Sequence, residues 1–258
     1  MHQPGLMVFL FALTAGTGLV AAPPLRVGME LSYPPFEMTD EQGRPTGVSV
    51  DMAAALAKEL GRTLEISNIA FDGLIPSLKT GKIDLIISSM TANEERARSI
   101  AFSDPYLTTG LGLLVTRHST LSGVGALDEK GRRVAVKKGT TGHLYAVKHF
   151  QKADLLIFDK ESAAVLEVGQ GKADAFIYDQ MSVYQQAVKD PLKLRALLAP
   201  IQTESWAVGL RKGDEPLRAQ VNAFLAKFRA DGGFTRLGDK YLSDQKKAFQ
   251  AQGIPFLF

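Results

Sequence analysis

Arg96 and Asp179 are the charged residues whose settings could do chemistry. Arg96 stands in Asn93-Glu94-Glu95-Arg96-Ala97-Arg98, a turn or so past a predicted strand, where its planar fork can hold a carboxylate by two bonds. Taken alone, the same string is a solvated helix face. Asp179 follows an apolar run at a predicted helix start, where a carboxylate caps backbone N–H groups. Capping and holding a ligand are compatible roles for one carboxylate. Gly139-Thr140-Thr141-Gly142 turns strand into helix. It lacks the pattern of a phosphate loop, but N–H groups at a helix start accept any anion, a carboxylate included; the plain alternative is a tight turn. Tyr33 and Phe71 each follow a strand and by default are core aromatics. Glu30 comes directly after the first strand and by default is a solvated loop charge.

What must position these groups is a repeated scaffold. The phrase Gly-Lys-x-Asp-x-x-Ile occurs at Gly81-Lys82-Ile83-Asp84-Leu85-Ile86-Ile87, and its counterpart is Gly171-Lys172-Ala173-Asp174-Ala175-Phe176-Ile177. Each copy follows a helical stretch stopped by glycine and becomes an apolar run of strand length. A chain that builds βαβαβ twice should fold as two α/β lobes, and open α/β sheets bind ligands beyond the carboxyl ends of their strands. Polar residues stand there: Ser88-Ser89-Met90-Thr91 after the first copy, Tyr178-Asp179 after the second. This predicts a small molecule held in a cleft.

In the first lobe the sequence predicts strands at 25–29 and 63–67. Helices are predicted over 50–60 and from an N-cap at Asp72, with Pro76 about a turn in, where proline does least harm. A further helix starts near Asn93, with Glu94 and Glu95 suited to its dipole. The second lobe has predicted strands at 133–137, 155–158 and 173–178 and helices over 141–150, 162–169 and 179–188. Extended segments at 111–116 and 206–210 cross between lobes, so a helix over 217–229 rejoins the first. The expected division is 1–22 signal peptide, 23–113 with 209–258 as lobe one, and 114–208 as lobe two.

The chain has 258 residues, 45% hydrophobic and 22% charged, with net charge +3, an ordinary globular balance. Its Lys and Arg are scattered, without the basic runs that nucleic acid requires. Residues 1–22 carry no Asp, Glu, Lys or Arg and end in Val20-Ala21-Ala22, the pattern of a cleaved secretory signal. There is no cysteine, which excludes disulfides, thiolate metal sites and a lipid-anchored precursor. His2, His118, His143 and His149 are too scattered for a zinc site. No metal or cofactor is expected.

Tyr33-Pro34-Pro35-Phe36-Glu37, Phe71-Asp72-Gly73-Leu74-Ile75-Pro76-Ser77-Leu78 and Phe102-Ser103-Asp104-Pro105-Tyr106 occur in that order. With the two glycine-lysine phrases and Gly139-Thr140-Thr141-Gly142, they resemble the polar-amino-acid family of periplasmic solute-binding proteins, over essentially the whole mature chain. The resemblance implies a two-lobe periplasmic binding protein fold of the α/β class, with two doubly wound sheets joined by two hinge strands. It implies a free amino acid as ligand, a membrane permease of an ABC importer as partner, a monomer in the periplasm, and no catalysis. By the same resemblance Arg96 binds the ligand's α-carboxylate, helped by Thr141. Asp179, Ser89 and Thr91 accept the α-ammonium, Tyr33 and Phe71 sandwich the side chain, and Glu30 meets its distal end. Whether Lys137 reaches the ligand stays open.

Two positions depart from the family. Asn93 replaces a threonine but caps as well. Gly47-Val48-Ser49-Val50-Asp51 lacks the usual phenylalanine and aspartate, from which local repacking is expected. Relatives that take arginine, lysine, ornithine or histidine carry an acid at the place of Glu30 and serines like Ser88 and Ser89; glutamine-binding relatives carry the acid too. The expected ligand is therefore a cationic amino acid, arginine first, with glutamine or another uncharged polar amino acid as the alternative. A cyclohexadienyl dehydratase on the same scaffold would have a glutamate early in the helix after the second-lobe strand, and Asp179-Gln180-Met181-Ser182-Val183-Tyr184 has none. A membrane-fused sensor domain would need a second apolar segment.

Overall fold

The computed structural model describes residues 22–254, so the signal segment expected over 1–22 lies, but for its last residue, outside the described residues. The first sheet opens with β1 (Leu25–Met29). A small antiparallel sheet follows, made of β2 (Ser32–Tyr33), β3 (Glu37–Thr39) and β4 (Pro45–Thr46). Then come α1 (Val48–Glu59), β5 (Leu64–Asn68), α2 (Phe71–Lys79) and β6 (Leu85–Ile86). The short α3 (Glu94–Ala97) and β7 (Ala101–Phe102) lead into β8 (Leu107–Thr116). The second unit runs β9 (Arg133–Lys137), α4 (Thr141–His149), β10 (Asp154–Phe158), α5 (Glu161–Gly169), β11 (Ala175–Asp179), α6 (Gln180–Lys189) and β12 (Leu194–Leu197). After it stand β13 (Thr203–Trp206), β14 (Gly209–Leu210), α7 (Glu215–Ala230), α8 (Gly233–Tyr241) and α9 (Ser243–Ala251).

The two units repeat one topology. The first sheet runs β5-β1-β6-β14-β7 and the second β10-β9-β11-β8-β12, so each βαβαβ places its first strand between the other two, in parallel. The fourth strand is antiparallel in both, and it is exchanged. β14, from late in the chain, joins β6, whereas β8, from before the second unit, joins β11.

The crossing lies slightly earlier than the sequence suggests. β8 pairs with β13 over Leu107–Gly110, and its remainder is a full strand of the second sheet, against β11 and β12. Leu111, Leu113 and Val115 enter one hydrophobic cluster and Leu114 another. A strand apolar on both faces must be covered on both, which places it inside a sheet rather than in a bare link.

The repeated aspartate is a staple. Asp84 accepts the Arg26 backbone N–H at 3.1 Å and returns its own N–H to the Arg26 carbonyl at 2.8 Å. Asp174 does the same with Arg133, at 2.8 Å in both directions. Each copy thereby ties the start of its third strand to the start of its first. Burial opposes the charge on Asp84, but bonds from Arg26 and the nearby Arg62 hold its carboxyl below the usual range. Gly142, in the first turn of α4, is also required by packing. A Cβ on Gly142 would stand 2.4 Å from the Ile177 carbonyl oxygen, so α4 could not lie so close on β11.

Two helix readings change. α2 begins at Phe71, with Ala70 at its cap and no side-chain capping bond, so Asp72 lies inside the first turn and pairs instead with Lys138 at 3.0 Å. Pro76 then falls inside the helix, past its first turn. At the other end of the fold α9 lies against α6, with Phe249 edge-on to Tyr184 at 5.5 Å. Among the described residues no helix is long and apolar enough to cross a membrane.

Candidate ligand-binding site

The carboxyl ends of the two sheets face each other across a narrow cleft whose cavity is about 40 Å³, below the range of open small-molecule sites. The structure brings Glu30, Tyr33, Phe71, Ser88, Ser89, Thr91, Arg96, Thr141 and Asp179 to its wall. Also there are Glu37, Thr140, Tyr178, Glu204 and Trp206, which the sequence reading did not single out.

Arg96 is held by α3. The Asn93 side chain caps that helix by accepting the Arg96 N–H at 2.9 Å, the role the sequence assigned it. The Arg96 guanidinium donates to the Thr91 carbonyl at 2.7 Å and, across the cleft, to the Gly139 carbonyl at 3.0 Å. It lies over the Phe71 ring at 5.3 Å. Only 6% of the residue is exposed, and no carboxylate among the described residues forms an ion pair with it. Burial lowers its pKa to about 10, with Glu204 the largest influence in the opposite sense. A guanidinium so placed, with N–H groups left over, is a receptor for a planar anion.

Asp179 caps α6 as expected, but one oxygen does all the work. Its Oδ1 accepts from the N–H groups of Met181 at 3.0 Å and Ser182 at 3.1 Å and from the Tyr33 hydroxyl at 2.5 Å. No described residue donates to Oδ2. Burial pushes the Asp179 carboxyl up to about 7, against the Tyr33 bond that favours its charge.

The serines after β6 face a partner that the sequence did not suggest. Glu37, from the Tyr-Pro-Pro-Phe-Glu string, is 1% exposed. It accepts from Ser49 at 2.7 Å, Ser89 at 3.0 Å and Ser88 at 3.4 Å. Burial outweighs these bonds and pushes its carboxyl up to about 8. Ser88 also accepts the Glu30 N–H at 3.0 Å, fixing the end of β1. Ser89 holds a positive φ of 49°, the left-handed region that a non-glycine residue occupies at a cost. Ser49 stands where local repacking alone was expected; it is a direct ligand of the buried acid. Thr91 donates to Glu204 at 3.0 Å. Trp206 closes that side, edge-on to Tyr33 at 6.0 Å and Phe36 at 4.9 Å.

Of the residues missed, Glu37, Thr140 and Tyr178 sit within strings already singled out. Their signal was adjacency. Glu204 and Trp206 had none, because only the pairing of β13 with β8 carries them to the cavity. Lys137 ends β9, forms an ion pair with Glu30, and lies over Phe71 at 5.7 Å. Among the described residues no cluster of His, Asp or Glu could hold a metal ion.

Two α/β lobes with exchanged fourth strands, and a polar cavity between their strand ends, define a two-lobe solute-binding protein. The chain belongs to the bacterial extracellular solute-binding proteins, family 3, whose profile matches residues 25–244. It is 33% identical to the L-arginine-binding protein of Pseudomonas aeruginosa, over 85% of this chain and 88% of that one. It is 30% identical to the histidine-binding periplasmic protein of Salmonella typhimurium, over 90% and 93%, and 30% identical to an L-cystine-binding protein of Escherichia coli, over 84% and 82%. Solved structures of the same fold include a variant of ArgBP from T. maritima (37% identity, TM-score 0.80, 85% of this chain and 95% of that one). An ancestral arginine-binding protein bound to glutamine matches at 31% and 0.80, over 86% and 98%. An ancestral amino acid-binding protein described as a precursor of cyclohexadienyl dehydratase matches at 34% and 0.78, over 85% and 95%.

Proposed function

We propose that this protein captures a polar amino acid between its lobes and delivers it to the permease of an ABC importer, as a periplasmic monomer released from a cleaved signal peptide. The lobes divide where β8 leaves β13 for β11, a few residues before the division at 113 that the sequence suggests, and again after 208. The observation that carries the reading is Arg96, a buried guanidinium on the cavity wall with no carboxylate partner of its own. Buried charges need a partner, and an α-carboxylate supplies one. Asp179 Oδ2, in the opposite lobe, then takes the α-ammonium, with Thr141 beside the carboxylate and Tyr33 and Phe71 against the side chain. A ligand held from both sides favours the closed arrangement over the open one.

The cation preference rests on charge. Glu30, Asp179 and Glu204 face Arg96 on the cavity wall, with Lys137 paired to Glu30, and aromatic faces favour cations. Arginine is the first candidate. Glutamine is the second reading, favoured by one observation: Glu30 is already paired with Lys137. The position reserved for a dehydratase glutamate stays empty of one in α6, and the protein works by binding alone. A melting-temperature screen across the twenty amino acids, ornithine and citrulline tests the reading. Arginine should give the largest rise; no rise with any of them would refute amino acid capture.

A further inference from the structure

The pseudo-symmetry of the fold sets two strand ends against each other. Glu30 follows β1, and Lys137 ends β9, the strand in the same place of the second sheet. Their side chains meet across the cleft in an ion pair. This is no surface contact, for Lys137 is only 2% exposed. Its ammonium also lies over the ring of Phe71, the ring that Arg96 covers from its own side chain. An acid and an aromatic face are what a cationic ligand side chain would look for.

We propose that Lys137 determines specificity in this cleft: its ammonium fills, from within the chain, the subsite between Glu30 and Phe71 that a ligand's cationic side chain would take, and the same contact latches the two lobes together. The inference rests on the proposed capture of an amino acid and sharpens its choice of ligand. A side chain ending in an amide leaves the Glu30–Lys137 pair intact. A guanidinium must break that pair and then share Glu30 with a displaced ammonium, and like charges set side by side are costly. Lys137 is thus an internal competitor that narrows the advantage of arginine and lysine over glutamine, toward which it is neutral.

Calorimetric titration of wild type and Lys137→Met with arginine and glutamine tests this. The ratio of arginine to glutamine affinity should rise about tenfold or more in Lys137→Met and fall in Glu30→Gln. Lys137→Gln serves as the second variant if the methionine lowers the melting temperature. An unchanged or lowered ratio in these lysine variants would overturn the proposal. If wild type and variants bind neither amino acid, the proposed function fails separately, and the latch is judged on the ligand-free protein by small-angle scattering. A smaller radius of gyration in wild type than in Lys137→Met and Glu30→Gln supports it; equal radii sink it.

Discussion

The two lobes share a scaffold and differ in what they place at its edge. Both copies of the glycine-lysine phrase end in an aspartate that clamps the first strand, through Arg26 in one lobe and Arg133 in the other. Past that point they diverge. In the first lobe β6 is only Leu85–Ile86, and a loop of hydroxyl residues intervenes before α3 delivers Arg96. In the second, β11 runs directly into α6, and the joining residue is Asp179 itself. One edge therefore offers a cation and hydroxyls, the other a carboxylate and helix-start N–H groups. A duplicated fold supplied two equivalent positions, and unlike residues at those positions make a cleft suited to a ligand with two opposite charges.

The sharpest way to break this contrast is to remove the first lobe's cation. Arg96→Ala should cost about 2–5 kcal/mol of ligand binding, read by calorimetry, because it leaves the ligand's anion without its partner. Near wild-type affinity would mean that the anion is held elsewhere.

A second comparison concerns the staples. Asp84 is bonded or paired with Arg26, Arg62 and Arg211 and is nearly buried, whereas Asp174, more open, has Arg132 and Arg133. Asp84→Ala should lower unfolding free energy by about 2 kcal/mol and Asp174→Ala by about 1 kcal/mol, measured in urea. Equal losses would show that the repeat is energetically as well as geometrically even.

Smaller than the loss at Asp84 is the expected effect of Asp179→Asn. Asparagine keeps the cap of α6 and loses only the charge, so binding should weaken about tenfold, roughly 1.4 kcal/mol, while the melting temperature barely moves. A large fall in stability would assign Asp179 to folding rather than to the ligand.

The gentlest test is pH. Glu37 has a folded-state pKa raised from 4.5 to about 8, so between those values the folded protein holds a proton that the unfolded chain has lost. Its contribution to stability is complete below about 4.5 and disappears as pH rises through about 8, following proton linkage. Asp179 acts in the same sense, from 3.8 to about 7. Ligand-free melting temperature should fall across this window, and Glu37→Gln should flatten the fall; an unchanged profile in that variant would contradict the burial of an ionisable Glu37.

The sequence by itself determined the repeat, the order of strands and helices within its two copies, and the residues that gather at the strand ends. These follow from local physics: apolar runs of strand length, glycines that stop helices, and Asn93 and Asp179 in capping positions. Arg96 was marked by the resemblance of the surrounding motifs, since its own string taken alone is a solvated helix face. Helix starts were less legible. Asp72 has the chemistry of a cap, but the apolar contacts of Phe71 draw the helix two residues earlier. Only the tertiary structure decided which partners the charged groups meet. Glu204 and Trp206 reach the cavity through a ladder with β8, Ser49 and Ser89 close on Glu37, and Lys137 finds Glu30 in the opposite lobe. Those contacts join residues far apart in the chain, and their energies depend on burial and distance, which no local pattern of residues contains.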